Sequence, residues 1–278
     1  MAPAPAPQSD CEQGWTLGLE VLALKPYQSE GGYEDTEWDI GYRASLGYQF
    51  NDCIFTKVTY FAYGADTNDS KEKDYYAVTS GPAPISDLNE YKSDMDVSYL
   101  DWVIGQHFKP SDRLTLSPYI GLRWGTFDES SSDADTEYDR SGVVTDYDKD
   151  SYDSEFSGLG IVIGVDGTLS MSNGFSAYGT FKQSVLFGKT KYSYDNKSYF
   201  LNGQNVYVDS SSPSNSSESD TVLAISELGL GVQYDFCFSN VAANIRLGVE
   251  AQYWAGLSND DSENTGLAGF VLGANFRF

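Results

Sequence analysis

Residues 265–278 read TGLAGFVLGANFRF. Ala268, Phe270, Leu272, Ala274, Phe276 and Phe278 share one face of an extended chain, and Gly269, Val271, Gly273, Asn275 and Arg277 share the other. Strand side chains alternate with a period of two, so this stretch predicts a strand with one apolar face and one small or polar face.

The same pattern recurs toward the N-terminus. Strands are expected at 241–256, 222–238, 175–191, 156–171, 113–127, 97–108, 54–65, 38–50 and 15–25. The clearest, 38–50, sets Ile40, Tyr42, Ala44, Leu46, Tyr48 and Phe50 against Asp39, Gly41, Arg43, Ser45, Gly47 and Gln49. Alternation is weaker in 54–65, and Pro118 is a blemish in 113–127 because proline removes a ladder donor. Asn173-Gly174 is the strongest hairpin turn signal.

With the final strand there are about ten strands, and their connections alternate in length. Short turns follow the second, fourth, sixth and eighth, whereas the others are followed by polar stretches at 26–37, 66–96, 128–155, 192–221 and 257–265. Short turns on one rim and long loops on the other suit a membrane-spanning, antiparallel up-and-down β-barrel. The short turns would lie in the periplasm and the long acidic loops outside the cell.

Charge separates this reading from a soluble β protein. The polar stretches hold 30 of the 41 Asp and Glu and 6 of the 17 Lys and Arg, which accounts for the whole net charge of −24. The strand segments are therefore neutral, yet carry ions mid-strand opposite the apolar face. These are Glu20, Arg43, Lys57, Asp101, Arg123 and Asp166 in the first half, then Lys182, Glu227, Asp235, Arg246, Glu250 and Arg277. A dry soluble core would not hold them, because an unpaired buried ion costs several kcal/mol. They are expected to line a hydrated lumen, with inward glycines leaving room, while the apolar face meets lipid. An arginine on that lipid face at mid-depth would cost about 2–4 kcal/mol, which forbids a one-residue slip of register.

Aromatic residues mark both edges of the apolar band. Phe50, Phe108, Phe175, Phe236, Phe238, Phe276 and Phe278 fall at the short-turn ends. Trp38, Trp124, Phe187 and Tyr253 fall near the long-loop ends, giving the second membrane-interface girdle. Residues 14–278 form the expected barrel, and 1–13, opening on Met-Ala-Pro-Ala-Pro-Ala-Pro, a flexible periplasmic segment of a mature chain with an added initiator Met. The acidity argues against nucleic acid as a partner.

The stretches GWTLGLEVLALKP (14–26), AQYW (251–254) and GFVLGANFRF (269–278) resemble the Legionella-type major outer-membrane protein family. That resemblance implies a pore-forming barrel of the bacterial outer membrane. The Phe-ended last strand resembles the signal read by the barrel-assembly machinery. Partners implied are outer-membrane lipid, that machinery, small ions or solutes and a second copy in a homo-oligomer. The expected function is a narrow, porin-like channel. The alternative is a structural or surface-interaction barrel, closed by salt bridges, with acidic loops for adhesion, shielding or divalent-cation binding.

No catalytic residue is expected. Protease barrels of similar size use carboxylates and a histidine at the outer rim, whereas the only histidine, His107, falls at the short-turn end. No cofactor is expected, although Asp133, Asp135 and Glu137 alternate, as do Asp146, Asp148 and Asp150, and could offer oxygens to Ca²⁺. The EF-hand glycine and terminal glutamate are missing, so solvated surface is favoured. Cys11 and Cys53 both fall close to the short-turn rim and are the favoured disulfide; Cys237, reading as inward, is left over.

Overall fold

The computed structural model describes residues 13–28, 38–50, 53–74, 86–139, 142–202, 206–238, 241–256 and 264–278. Cys11 and residues 1–12 generally lie outside these. The strands are β1 (Gly14–Gln28), β2 (Asp39–Gln49), β3 (Ile54–Asp74), β4 (Ser86–Gln106), β5 (Phe108–Ser111), β6 (Leu114–Tyr138), β7 (Val144–Ser170), β8 (Phe175–Leu201), β9 (Tyr207–Asp209), β10 (Asn215–Phe238), β11 (Val241–Ala255) and β12 (Thr265–Arg277).

Ten of these are staves of one closed antiparallel barrel. Their order is β10-β11-β12-β1-β2-β3-β4-β6-β7-β8, and β8 pairs again with β10. Closure leaves no unpaired edge, which hydrocarbon could not solvate. The first and last strands, β1 and β12, pair along the seam, where the Trp15 amide donates to the Phe278 carbonyl at 2.8 Å. Short β5 continues the line of β4 after an interruption at His107, and β9 pairs only with β8. That interruption lies opposite the Pro118 region, with Gly105 facing Tyr119 and Phe108 facing Leu116. The proline therefore sits where the ladder is already broken. At the β7–β8 turn, Asn173 and Gly174 both have positive φ, 59° and 82°, the left-handed pair that a two-residue hairpin of this hand needs.

The alternation runs outside-in. Trp102, Phe187 and Leu247 are 60%, 63% and 56% exposed on the outer wall, while Arg123 has no exposed surface. Phe50, Phe108, Phe175, Phe236 and Phe278 are exposed toward the short-turn rim, and Trp38, Trp124, Phe187 and Tyr253 toward the other. Phe276 is half-buried, and the Phe238 side chain lies outside the described residues.

One expectation needs correction. Much of 66–96, 128–155 and 192–221 is not loop: β3, β4, β6, β7, β8 and β10 continue through these stretches as extended hairpins. Apolar residues thin out there, but the strand ladder does not end. With water on both faces, a backbone ladder needs no grease, and cross-strand rings support it. Tyr147 stacks on Tyr199 at 4.9 Å and Tyr152 lies against Tyr194 at 5.0 Å.

Candidate functional site

The lumen is the candidate site, and it is layered. On three staves the inward residues change in the same order from the short-turn rim outward: polar, then charged, then apolar. β1 runs Thr16, Glu20, Leu22, Leu24; β10 runs Gln233, Glu227, Ile225, Leu223; β11 runs Asn244, Arg246, Glu250, Trp254. The register stacks these steps into rings: Glu20 faces Arg43, Asp101 faces Arg123 and Lys182 faces Glu227.

The charged layer is a connected network. The Arg123 guanidinium grips Asp101 with two bonds, 2.5 and 2.7 Å, meets Glu227 at 2.6 Å, and lies 3.8 Å from the Tyr99 ring centroid. Lys182 donates to Glu227 at 2.8 Å, and the Tyr99 hydroxyl donates to the same carboxylate oxygen at 2.9 Å. Arg43 bridges Glu20 at 2.7 Å and Glu250 at 2.8 and 2.5 Å. Arg246 also pairs with Glu20. Four carboxylates thus meet four bases, and the layer is neutral. Such forked, charge-assisted contacts are what buried ions require.

Nearer the short-turn rim, Lys57 meets Asp166 at 3.3 Å, and Thr180 donates to Asp166 at 2.7 Å. His107 lies between Ser117, 2.7 Å from Nδ1, and Gln49, 2.8 Å from Nε2, and stacks on Phe55. The Gln49 amide nitrogen donates to the Phe50 and Ile54 carbonyls, which turns its oxygen toward the imidazole. Asp235 is exposed at this rim and accepts from Ser176 and Gln233. Arg277 is half-buried on the same inward face.

Above the ions sits an apolar plug that the alternation did not predict. Leu22, Leu24, Phe61, Leu186, Leu223, Ile225 and Trp254 have no exposed surface, and Tyr99, Phe127 and Phe156 at most 2%. Trp254 ties plug to network: its indole N–H donates to Gln252, which donates to Glu250. The signal for it was present in the sequence. Val21-Leu22-Ala23-Leu24, Val222-Leu223-Ala224-Ile225 and Tyr253-Trp254 are apolar on both faces at the outer ends of their strands, where alternation lapses.

The glycines expected to leave room in the lumen lie against other protein atoms instead. A Cβ at Gly164 would lie 2.5 Å from Tyr119 Cζ, and one at Gly248 2.3 Å from the Tyr178 hydroxyl. Inward glycines seat aromatic rings, so their space is filled by protein.

The weak metal candidates face one another across β6 and β7. Asp133 opposes Asp150, Asp135 opposes Asp148, and Glu137 opposes Asp146. Asp150 accepts from the Tyr194 hydroxyl and, with Asp148, from Asn196, which holds the Asp150 carboxyl below the usual range. A hydrogen bond with Asp87, then desolvation and neighbouring acids, push Asp135 up to about 6. Among the described residues no group of three or more His, Cys, Asp or Glu is arranged to hold a metal ion. Cys53 is disulfide-bonded, and Cys11 lies outside the described residues. Cys237 keeps inward parity but is a free, exposed thiol, because β10 has reached the open rim by then.

A comparison with protein-family models agrees with this architecture. A family model described as the Legionella pneumophila major outer membrane protein precursor matches residues 7–278. Among solved structures, the outer membrane protease OmpT from Escherichia coli is similar at 10% identity and TM-score 0.46, over 99% of each chain. Neisserial surface protein A is similar at 12% identity and TM-score 0.34, covering 95% of this chain and 97% of that one. The Yersinia pestis attachment invasion locus protein Ail matches at 11% identity and TM-score 0.31, covering 96% and 100%. No curated protein sequence matches the chain.

Proposed function

The chain belongs to the Legionella major outer membrane protein family and is a barrel of the bacterial outer membrane; from that premise we propose that it works there with its lumen closed, as a structural and surface-interaction barrel. The observation that carries this reading is the plug. Six aliphatic and aromatic side chains, Leu22, Leu24, Leu186, Leu223, Ile225 and Trp254, have no solvent-accessible surface across the lumen. A permeating ion needs a wet path or fixed dipoles to replace its hydration shell, and a dry hydrocarbon layer supplies neither. Below it, every charge of the central network has a counter-charge in contact. A narrow channel through this lumen requires the plug to move and ion pairs to part.

Outside the membrane, the extended hairpins lift an acidic sheet above the lipid. That sheet is the surface the barrel offers to other molecules. No enzymatic step is part of this reading: His107 is held between Gln49 and Ser117 at the periplasmic rim, stacked on Phe55.

Planar-bilayer recording on the purified barrel tests the proposal. Insertion without conductance at any holding voltage is the expected result. Stable, reproducible single-channel steps in the unsubstituted protein would overturn it and return the narrow-channel reading.

A further inference from the structure

The lipid-facing wall of β2, β3, β4 and β6 carries a shelf. Three rungs define it. The lower rung is Tyr60, Leu100 and Trp124, directly opposite one another along the register. The middle rung begins at Tyr42 and then drops to Ala62, Ser98 and Thr126. The upper rung is Gly64, Asp96 and Asp128. Small side chains between a bulky rung and a charged one leave a trough of about 420 Å³, open to the side.

Its chemistry is specific. The floor is hydroxylic, with Ser98 Oγ and Thr126 Oγ1 in contact at 2.8 Å. Tyr42 and Tyr60 form an aromatic wall, 61% and 49% exposed. Asp96 and Asp128 stand side by side at the top and make no ion pair among the described residues. The base further along that rung, Lys191, meets Glu155 at 3.8 Å. Like charges directly opposite on neighbouring strands repel, so this pair is retained at a cost that a cation would relieve. The depth is also telling, because the trough lies just beyond Trp124, in the outer aromatic ring where headgroups begin.

We propose that this shelf binds the primary ammonium of a phospholipid headgroup, with Asp96 and Asp128 as counter-ions and the Tyr42 and Tyr60 rings as its wall. Carboxylates and aromatic faces both attract an ammonium, and the hydroxyls accept its remaining protons. A bare lipid phosphate would be repelled by the same pair.

The test is lipid retention. The barrel is purified from micelles containing equimolar phosphatidylethanolamine and phosphatidylglycerol, and bound lipid is counted by native mass spectrometry. Phosphatidylethanolamine should be retained in about three- to tenfold preference, the range one such contact supports. Asp96→Asn/Asp128→Asn, which removes a repulsion and leaves the ladder intact, should bring the two lipids to parity. Ser98→Leu, which fills the trough and keeps both charges, should release the lipid. Heat-modifiable gel migration reports that each variant is folded. Equal preference in the unsubstituted barrel and the double Asn variant would overturn the proposal. So would retention of phosphatidylglycerol that needs Mg²⁺ and disappears with chelator, or a dimer that forms through this face without lipid.

Discussion

Two regions of the same strands carry acids and treat them in opposite ways. In the lumen each acid touches a base: Asp101 is gripped by Arg123, and Glu227 is shared by Arg123 and Lys182. On the extracellular sheet, acid faces acid, with Asp133, Asp135 and Glu137 opposite Asp150, Asp148 and Asp146. Sequence spacing is the same in both regions. The solvent differs. Water screens like charges a few ångströms apart to about 1 kcal/mol, whereas a water-poor lumen leaves an uncompensated charge costing several times that.

Removing one lumen base is the sharpest way to break this contrast. Arg123→Ala takes the forked partner from Asp101, which keeps only Lys182 at 3.9 Å, and leaves Glu227 to Lys182 in a site with no exposed surface; it should destabilise the barrel by about 3–5 kcal/mol. Urea unfolding of the barrel in liposomes measures it, and a loss below about 1 kcal/mol would sink the idea that pairing is required there. The apolar plug gives the next effect. Leu223→Ala should cost about 2–5 kcal/mol by leaving a cavity beside Leu186. Pairing it with Leu186→Ala should let a silent barrel leak ions, and a doubly substituted barrel that stays silent would show that closure lies elsewhere.

Effects on the extracellular sheet should be smaller and pH-dependent. Because Asp135 binds its proton more tightly in the fold, up to about 6, its contribution is complete below the ordinary aspartate range. It is lost as pH rises through about 6. Amide exchange along the outer parts of β6 and β7 should therefore quicken between roughly pH 4 and 7. Asp87→Asn should flatten that dependence, and an unchanged profile would remove Asp87 as its cause. Smallest of all is the response to calcium. Millimolar Ca²⁺ should move the thermal transition no further than Mg²⁺ at equal ionic strength. A saturable shift peculiar to Ca²⁺ would establish a binding site among the Asp133–Asp150 pairs.

Much of the fold is legible in the residues. A face such as Ile40, Tyr42, Leu46 and Phe50 opposite Arg43 and Gln49 can satisfy only one arrangement when ten such strands follow one another with alternating turns. The lumen was half legible. Its ions announce themselves as charges on the small-residue face, but the plug is written as a lapse in alternation at Leu22, Leu223 and Trp254, which reads as noise in any single strand. The long hairpins leave little apolar signature in the sequence, because their hydrogen bonds are backbone bonds, indifferent to whether a residue is apolar.

Period two, the sign of each face and the segregation of acid into the connections decided by themselves that this chain closes into a barrel surrounded by lipid, because each is a local property of one strand and its solvent. Which charge meets which, which side chains fill the lumen, and where small residues on three separate staves line up into a shelf were decided only when ten strands took their register around one axis. Those contacts join residues as distant as Arg43 and Glu250, and no spacing within a strand specifies what lies across a closed lumen.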